Sequence, residues 1–217
     1  MNTFKRFYRE APVTAGLIFI IVIVYLYTTL RFGPDMTAIQ ALEVGAYMPA
    51  SIYLEHEYYR FFTANFLHFG LLHLICNSLS LYNVGPFMER IYGRWKYIVV
   101  LLSSALGTTI LPYLFEIVLM GRFERNFITV SGGASGMILG LLGALLFLAY
   151  YYRGIYQRAF RSILPSLLLV LFISFTVPSV SLSGHIGGFV GGFLGAFGLM
   201  LFNRYQTYKK NRQQMWN

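Results

Sequence analysis

Residues 183–198 read SGHIGGFVGGFLGAFG, and this glycine-rich apolar stretch decides the class of fold. Rows of small residues at four-residue spacing let membrane helices pack backbone against backbone. The stretch therefore predicts a membrane-crossing helix in close contact with a neighbour. Two glycine rows carry the pattern: Gly184, Gly188 and Gly192, and beside them Gly187, Gly191 and Gly195.

A second stretch of the same kind, SGGASGMILGLLG, occupies residues 131–143. Its glycines at Gly132, Gly136 and Gly140 again recur every four residues. Ser135 lies near the start of this stretch, and His185 lies near the start of the first one. Close packing of the two helices would bring the Ser135 hydroxyl within hydrogen-bond reach of His185.

The composition of the whole chain fits a membrane protein. Of the 217 residues, 57% are hydrophobic and 12% are charged, whereas soluble domains have about 45–50% and about 25%. This excludes an ordinary soluble domain and a disordered chain. Six apolar runs have about the length that a membrane helix needs. We therefore predict an all-α polytopic membrane protein with six transmembrane helices, at residues 12–30, 64–84, 97–119, 131–151, 163–180 and 184–203.

The positions of Lys and Arg predict the orientation. Thirteen of the 17 lie in segments 1–11, 85–96, 152–162 and 204–217, which we place in the cytoplasm. The prediction is a cytoplasmic tail at 1–11, a core at 12–203 with a long outer loop at 31–62, and a cytoplasmic tail at 204–217. The net charge of +9 is then explained by topology, and no nucleic-acid partner is expected. The first run lacks a clear cleavage site, so we interpret it as a retained span.

Polar residues inside predicted spans are costly and indicate function. Spans two, four and six run in the same direction and carry such residues in their outer part. His73 and Asn77 share one face of span two at i, i+4 spacing. Ser135 lies about four residues into span four, or ~6 Å deep. His185 begins span six, so the four side chains can meet in the outer half of the membrane.

This set of residues favours serine protease chemistry. Ser135 is the predicted nucleophile, and His185 is the predicted general base and then general acid. We expect no Asp or Glu inside the predicted spans, so the expected arrangement is a Ser–His dyad. An oxyanion also needs donors, and His73, Asn77 and the backbone N–H of Ser135 can supply them.

Other intramembrane chemistries fit less well. A zinc protease of the H-E-x-x-H type needs a second histidine, but His56-Glu57 is followed by Tyr58, Tyr59 and Arg60. A zinc protease of this type is therefore not expected. A transporter would be expected to carry broken spans in matching halves or charged relay residues, and the sequence suggests neither.

The motifs together resemble the rhomboid intramembrane serine proteases. G-A-S-G at 133–136, H-x-x-x-N at 73–77 and G-H-I-G-G at 184–188 carry the resemblance. F-T at 62–63, His68 and G-x-x-x-E-R-x-Y-G at 85–93 add to it. The similarity extends from about Gly45 to Gly195.

The resemblance implies a compact six-helix rhomboid bundle, with Ser135 and His185 as the dyad and His73, Asn77 and the Ser135 N–H as the oxyanion hole. It implies membrane-spanning protein segments as substrates, membrane lipids as surroundings, and neither a metal nor a cofactor. Span five and the loop at 176–183 would form the gate and cap. The form is similar to minimal bacterial members, which places the protein in a bacterial plasma membrane. The alternative function is an inactive rhomboid-like protein that binds transmembrane helices.

Four further positions carry expectations. Leu139 stands where many family members have an aromatic residue against the histidine, so packing and glycine rows would orient His185. Tyr59-Arg60 replaces the Trp-Arg that the family has in its outer loop. His68 is expected near the outer loop or a water entrance. Glu89 is expected to pair with an arginine close to it in sequence.

Overall fold

The computed structural model describes residues 3–119, 127–176 and 181–214, and these ranges are mostly helical. A short 3₁₀ helix at Ala64–Phe66 follows the helical turn at Arg60–Thr63. Within the described ranges, the β-pairing is confined to an isolated bridge between Tyr47 and Ser131. The α-helices are α1 (Thr3–Glu10), α2 (Pro12–Phe32), α3 (Ala38–Glu43), α4 (Pro49–Leu54), α5 (Arg60–Thr63), α6 (Leu71–Tyr92), α7 (Arg94–Leu119), α8 (Ser135–Tyr151), α9 (Ile155–Thr176) and α10 (Leu182–Gln214).

Each predicted span overlaps one of the long helices, but several boundaries were wrong. The second span does not begin at residue 64, because residues Arg60–Phe66 are bent by 92° from α6. The helix of the fourth predicted span, α8, begins at Ser135 and not at residue 131. Ser131 pairs with the outer loop, and Gly133 has a positive φ of 140°. α10 continues through most of the predicted C-terminal tail, to Gln214. Part of the predicted cap loop, residues 177–180, lies outside the described residues.

The described residues contain three helices that are individually long and apolar enough to cross a membrane: α2, α7 and α10. The bent segment Arg60–Phe66 together with α6 would make a fourth. α8 is apolar but shorter, with 17 residues. The chain is thus all-helical with apolar helices of membrane length, and the number of six spans stays a prediction.

The outer loop packs against the bundle. Tyr47, Ile52 and Ala64 are buried together with Phe61, and this cluster contacts Tyr113 of α7. The aromatic rings of Phe61 and Tyr113 meet edge to face with centroids 5.1 Å apart. The loop is therefore a structured element that covers one side of α7.

Arg60 holds the outer loop in shape. Its guanidinium is buried and donates to the carbonyls of Leu42 and Ala46, both at 2.8 Å. Its Nε also donates to the Glu57 carboxylate at 2.6 Å. Hydrogen bonds from a charged donor are stronger than neutral ones. The Tyr59-Arg60 pair thus keeps an arginine that ties distant turns of the loop together.

Glu89 is not paired with a neighbouring arginine, contrary to the sequence expectation. It is 3% exposed, and its carboxylate accepts from the backbone N–H groups of Val13 and Thr14 at 3.0 and 2.9 Å. The Thr14 hydroxyl donates to it as well, at 2.8 Å. Arg90 pairs with Glu10 instead, at 3.7 Å. Glu89 therefore accepts from the N-terminal turn of α2, where a negative charge is stabilised by the helix dipole.

The main apolar core lies between five of the long helices. Ile21 of α2, Leu81 of α6, Val100 of α7 and Leu141 of α8 are fully buried in it. Ala196 adds the contribution of α10. The core fixes α6, α8 and α10 side by side, which are the helices that carry the predicted site residues.

Candidate active site

Ser135 is the first residue of α8, and the segment before it is held in an extended form. Ser131 exchanges backbone hydrogen bonds with Tyr47 of the outer loop, at 2.9 and 3.0 Å. The Gly133 N–H donates to the Ala64 carbonyl at 2.9 Å. The first N–H groups of a helix have no partner within the helix. This local fold therefore places the Ser135 N–H among the donors that a helix N-terminus can offer to an anion.

Glycine contacts set the distance between α8 and α10. A Cβ on Gly188 would collide with the carbonyl of Gly136, and a Cβ on Gly192 would collide with the carbonyl of Gly140. The two backbones thus touch at these positions, as the sequence predicted from the glycine rows.

The second glycine row of α10 packs on α7. A Cβ on Gly187 would collide with the Gly107 carbonyl, and one on Gly191 would collide with the Ser103 carbonyl. α10 therefore lies in a groove between α7 and α8, and its position along and across α8 is fixed on two sides.

The Ser135 hydroxyl and the His185 ring are hydrogen-bonded, with 2.7 Å between Oγ and Nε2. The hydroxyl donates in this bond when the ring carries its proton on Nδ1. His185 is 6% exposed, so its surroundings limit ring rotation. The geometry is the one that a serine nucleophile and its base require.

His73 and Asn77 come together beside Gly133, two residues before Ser135. A Cβ on Gly133 would lie 2.8 Å from Cε1 and 2.9 Å from Nε2 of His73, and 3.7 Å from Nδ2 of Asn77. The position therefore needs glycine both for its positive φ and for space. α6 thus presents both predicted oxyanion donors to the entry of α8.

His68 is the residue whose role the sequence did not predict. It is 1% exposed, and its Nδ1 lies 3.2 Å from the Phe66 carbonyl. A carbonyl only accepts, so Nδ1 carries the ring proton and Nε2 is an acceptor. Asn77 Nδ2 lies 3.0 Å from that Nε2. One amide hydrogen of Asn77 is therefore directed to His68, which fixes the orientation of the amide.

The spacing of His68 and Asn77 gave no signal for this bond, because the two residues do not lie on one continuous helix. The 92° bend between residues 60–66 and α6 places His68 beside Asn77. A pattern that repeats along a helix cannot reveal a contact made across such a bend.

Two further expectations concern packing and carboxylates. Leu139 is 2% exposed and packs with Leu142 of α8 and Leu167 of α9. The third predicted span does contain a carboxylate, Glu116, which accepts from the Tyr47 hydroxyl at 2.7 Å. Glu116 therefore joins the outer loop to α7 at a position separate from the Ser135–His185 bond.

Within residues 3–119, 127–176 and 181–214, no group of three or more His, Cys, Asp and Glu side chains is arranged to hold a metal ion.

A family model described as "Rhomboid domain" matches residues 55–202 of this chain. The chain belongs to the rhomboid family. The matched region includes all four predicted site residues. The family recognition made from the three sequence motifs is confirmed.

Several curated rhomboid proteins are similar to this chain. "Rhomboid protease GluP" of Bacillus subtilis is 30% identical over 151 residues, which cover 70% of this chain and 28% of that protein. "RHOMBOID-like protein 1" of Arabidopsis thaliana is 31% identical over 132 residues, covering 61% and 31%. "Inactive RHOMBOID-like protein 8" of Arabidopsis thaliana is 33% identical over 115 residues, covering 52% and 29%. The chain spans about a third or less of the length of these relatives.

Proposed function

We propose that this rhomboid is an intramembrane serine endopeptidase that cleaves transmembrane segments of other membrane proteins. The observation that carries the proposal is the 2.7 Å hydrogen bond between Ser135 Oγ and His185 Nε2. A rhomboid relative named as a protease, 30% identical over 70% of the chain, supports the same conclusion.

The proposed reaction begins with attack of Ser135 Oγ on the scissile carbonyl carbon. His185 Nε2 takes the hydroxyl proton as the bond forms. The negative charge that develops on the carbonyl oxygen is stabilised by N–H donors. The His73 ring, the Asn77 amide and the Ser135 backbone are the proposed sources of these donors.

The amide of Asn77 is proposed to be oriented by His68. One N–H points to His68 Nε2, at 3.0 Å, and the geminal N–H is then available to the oxyanion. His68 touches no reacting atom in this proposal and is a positioning residue.

Collapse of the intermediate breaks the peptide bond, and His185 donates its proton to the leaving amine. Water then attacks the acyl-serine with His185 again as base, which restores the hydroxyl of Ser135.

The proposed setting is a bacterial plasma membrane with both termini in the cytoplasm. The Lys and Arg distribution supports this orientation. Ser135 begins α8 and His185 lies in the first turn of α10, at the helix ends that would face outward. Cleavage would then occur in the outer half of the membrane. The proposed partners are membrane-spanning substrates and the surrounding lipids.

The test is cleavage of a single-span substrate by purified protein in lipid vesicles. S135A and H185A are expected to abolish cleavage. Two matched controls are S162A, at an exposed serine of α9, and H56A, at an exposed histidine of the outer loop; both are expected to cleave at the wild-type rate. Cleavage that survives in S135A would refute the proposed nucleophile.

A second candidate function is an inactive protein that binds transmembrane helices. The similarity to a rhomboid-like protein named inactive favours keeping it. A fluorophosphonate probe discriminates between the two, since it labels a serine only when a base activates it. Labelling of the wild type but not of S135A supports the protease, and absence of labelling in both supports the binding protein.

A further inference from the structure

A groove lies at the end of the bundle opposite to Ser135, between the C-terminal end of α8 and the C-terminal part of α10. Its volume is about 410 Å³, and it opens to the surroundings. Ser135 and Tyr151 are the two ends of α8, so the groove is roughly 24 Å from the proposed dyad. It is a separate site. Its polar lining includes Tyr151, Tyr152, Asn203, Arg204, Tyr208 and Asn211.

The groove is positively charged. Arg204 lines it, and Lys96 Nζ donates to the side chain of Asn203 at 2.9 Å, which holds a second cation at its edge. From Arg125 to Asn217 the sequence contains no Asp or Glu at all. The groove walls supplied by α8 and α10 therefore contain nothing that neutralises Arg204.

Two carboxylates, Glu10 and Glu89, already have partners within the protein. Glu10 of α1 pairs with Arg6 and lies 3.7 Å from Arg90. Glu89 is buried against Thr14. Within the described residues, these two carboxylates are thus unavailable to the cations at this end of α10, and an anion from outside the chain would complement those cations.

The tyrosines on one side of the groove, Tyr151 and Tyr152, are held in place by contacts with other aromatic rings. The Tyr151 ring stacks on Phe147, with centroids 5.7 Å apart and 12° between planes. Tyr152 meets Tyr151 edge to face at 4.8 Å. Ring contacts of this kind favour one side-chain orientation. Two phenols are thereby fixed beside an arginine, and all three groups can donate to phosphate oxygens.

We infer that this groove binds the phosphodiester headgroup of an anionic phospholipid. Arg204 is the main phosphate contact, and the tyrosine hydroxyls and the Asn211 amide are additional donors. α10 leaves the apolar part of the bundle here, because it is exposed on all sides from Leu201 to Gln214. Tyrosines and cations at such a level are where lipid headgroups lie. The inference is independent of the proposed proteolysis.

The test is native mass spectrometry of the purified full chain in detergent, titrated with phosphatidylglycerol and, separately, with phosphatidylcholine. The expected result is that one phosphatidylglycerol molecule binds per chain more tightly than phosphatidylcholine does. R204Q is expected to weaken it about tenfold or more, as for loss of a charge-assisted hydrogen bond. R212Q is the control for charge, because it removes one positive charge from the same helix at a residue that does not line the groove. Y208F removes a groove hydroxyl without changing the charge. R212Q is expected to weaken binding by at most about threefold, and Y208F is expected to weaken it measurably.

Three outcomes would overturn the inference. Equal losses in R204Q and R212Q, with none in Y208F, would mean general surface charge. Displacement of the lipid by millimolar inorganic phosphate, with no preference between the lipids, would mean a small-anion site. Tighter, Arg204-dependent binding of a single-stranded oligonucleotide would mean a nucleic-acid surface. Because these residues are exposed, circular dichroism and melting of the variants are expected to match the wild type.

Discussion

Replacing Gly192 by Ala tests whether the α8–α10 contact sets the dyad geometry. Gly192 lies about 10 Å along α10 from His185, so the added methyl group touches no proposed site residue. Built on the backbone, its Cβ would lie 2.6 Å from the Gly140 Cα and even closer to the Gly140 carbonyl. Carbon atoms in contact are normally about 3.5–4.0 Å apart. The helices would therefore have to separate by about 1 Å.

A 1 Å separation is enough to break the proposed dyad. The Ser135–His185 bond is 2.7 Å long, and a distance near 3.7 Å is outside hydrogen-bonding range. Misplacement of this size can lower the rate about 100-fold. Overpacking also costs roughly 1–3 kcal/mol of stability. We expect G192A to fold, to melt at a lower temperature and to lose about 100-fold in kcat/KM.

The matched control is G198A on the same helix, where an added Cβ meets nothing within 4 Å. Alanine is favoured over glycine in a helix by up to about 1 kcal/mol, so G198A should keep full activity. The assay is cleavage of a single-span substrate in vesicles, with fluorophosphonate labelling and thermal melting of each variant. A folded G192A that cleaves within about twofold of G198A would refute the reasoning, because an effect near 100-fold is expected.

Three further predictions concern residues around the site and the outer loop. H68F should lower kcat about tenfold with KM unchanged, because it removes the acceptor that orients the Asn77 amide. H68Q keeps an acceptor and should restore part of the rate. A change in KM alone would contradict the positioning role of His68. E89A should lower the free energy of unfolding by about 3 kcal/mol, since buried N–H donors lose their acceptor; E43A, at an exposed ion pair, should cost less than about 1 kcal/mol, and equal melting temperatures would count against the network. Burial acts to raise the pKa of Glu57, but the hydrogen bonds from Arg60 and Tyr59, together with the charge of Arg60, outweigh this and hold the pKa below its ordinary 4.5. The contribution of Glu57 to loop stability is thus complete above pH 4.5 and is lost as the pH falls through the lower folded-state pKa. Proteolysis of the loop should accelerate there in the wild type but not in E57Q, which has no carboxylate to protonate; the same acceleration in E57Q would be the contrary result.

The sequence predicted the elements that depend on local repetition. Glycine spacing predicted that α8 and α10 touch, and the contacts at Gly188 and Gly192 confirm it. Apolar runs located the long helices. The meeting of Ser135 and His185 followed from these two facts together, because both residues begin their helices.

The sequence did not predict features that depend on chain bends and on long-range pairing. α8 begins only at Ser135 because Ser131 forms a bridge with Tyr47 of the outer loop. No local sequence pattern encodes this long-range pairing. The partner of Glu89 is the start of α2, a contact over more than 70 residues. An arginine next to it in sequence was the nearer charge, but the unsatisfied N–H groups of a helix start are fixed donors and need no side-chain ordering.

Glycine contacts also lie close enough to the proposed dyad to influence its geometry. In a triad, a carboxylate behind the imidazole fixes the orientation of the ring. Whatever side chains contact the His185 ring, its position also depends on the backbone that carries it. Gly188 lies in the turn after His185, and it touches Gly136, the residue after Ser135. The contact that sets the helix distance is thus within one turn of both proposed catalytic groups, where a backbone shift is transmitted to them with little loss. A rigid glycine contact in this position therefore helps to fix the distance and the angle between the two proposed catalytic groups.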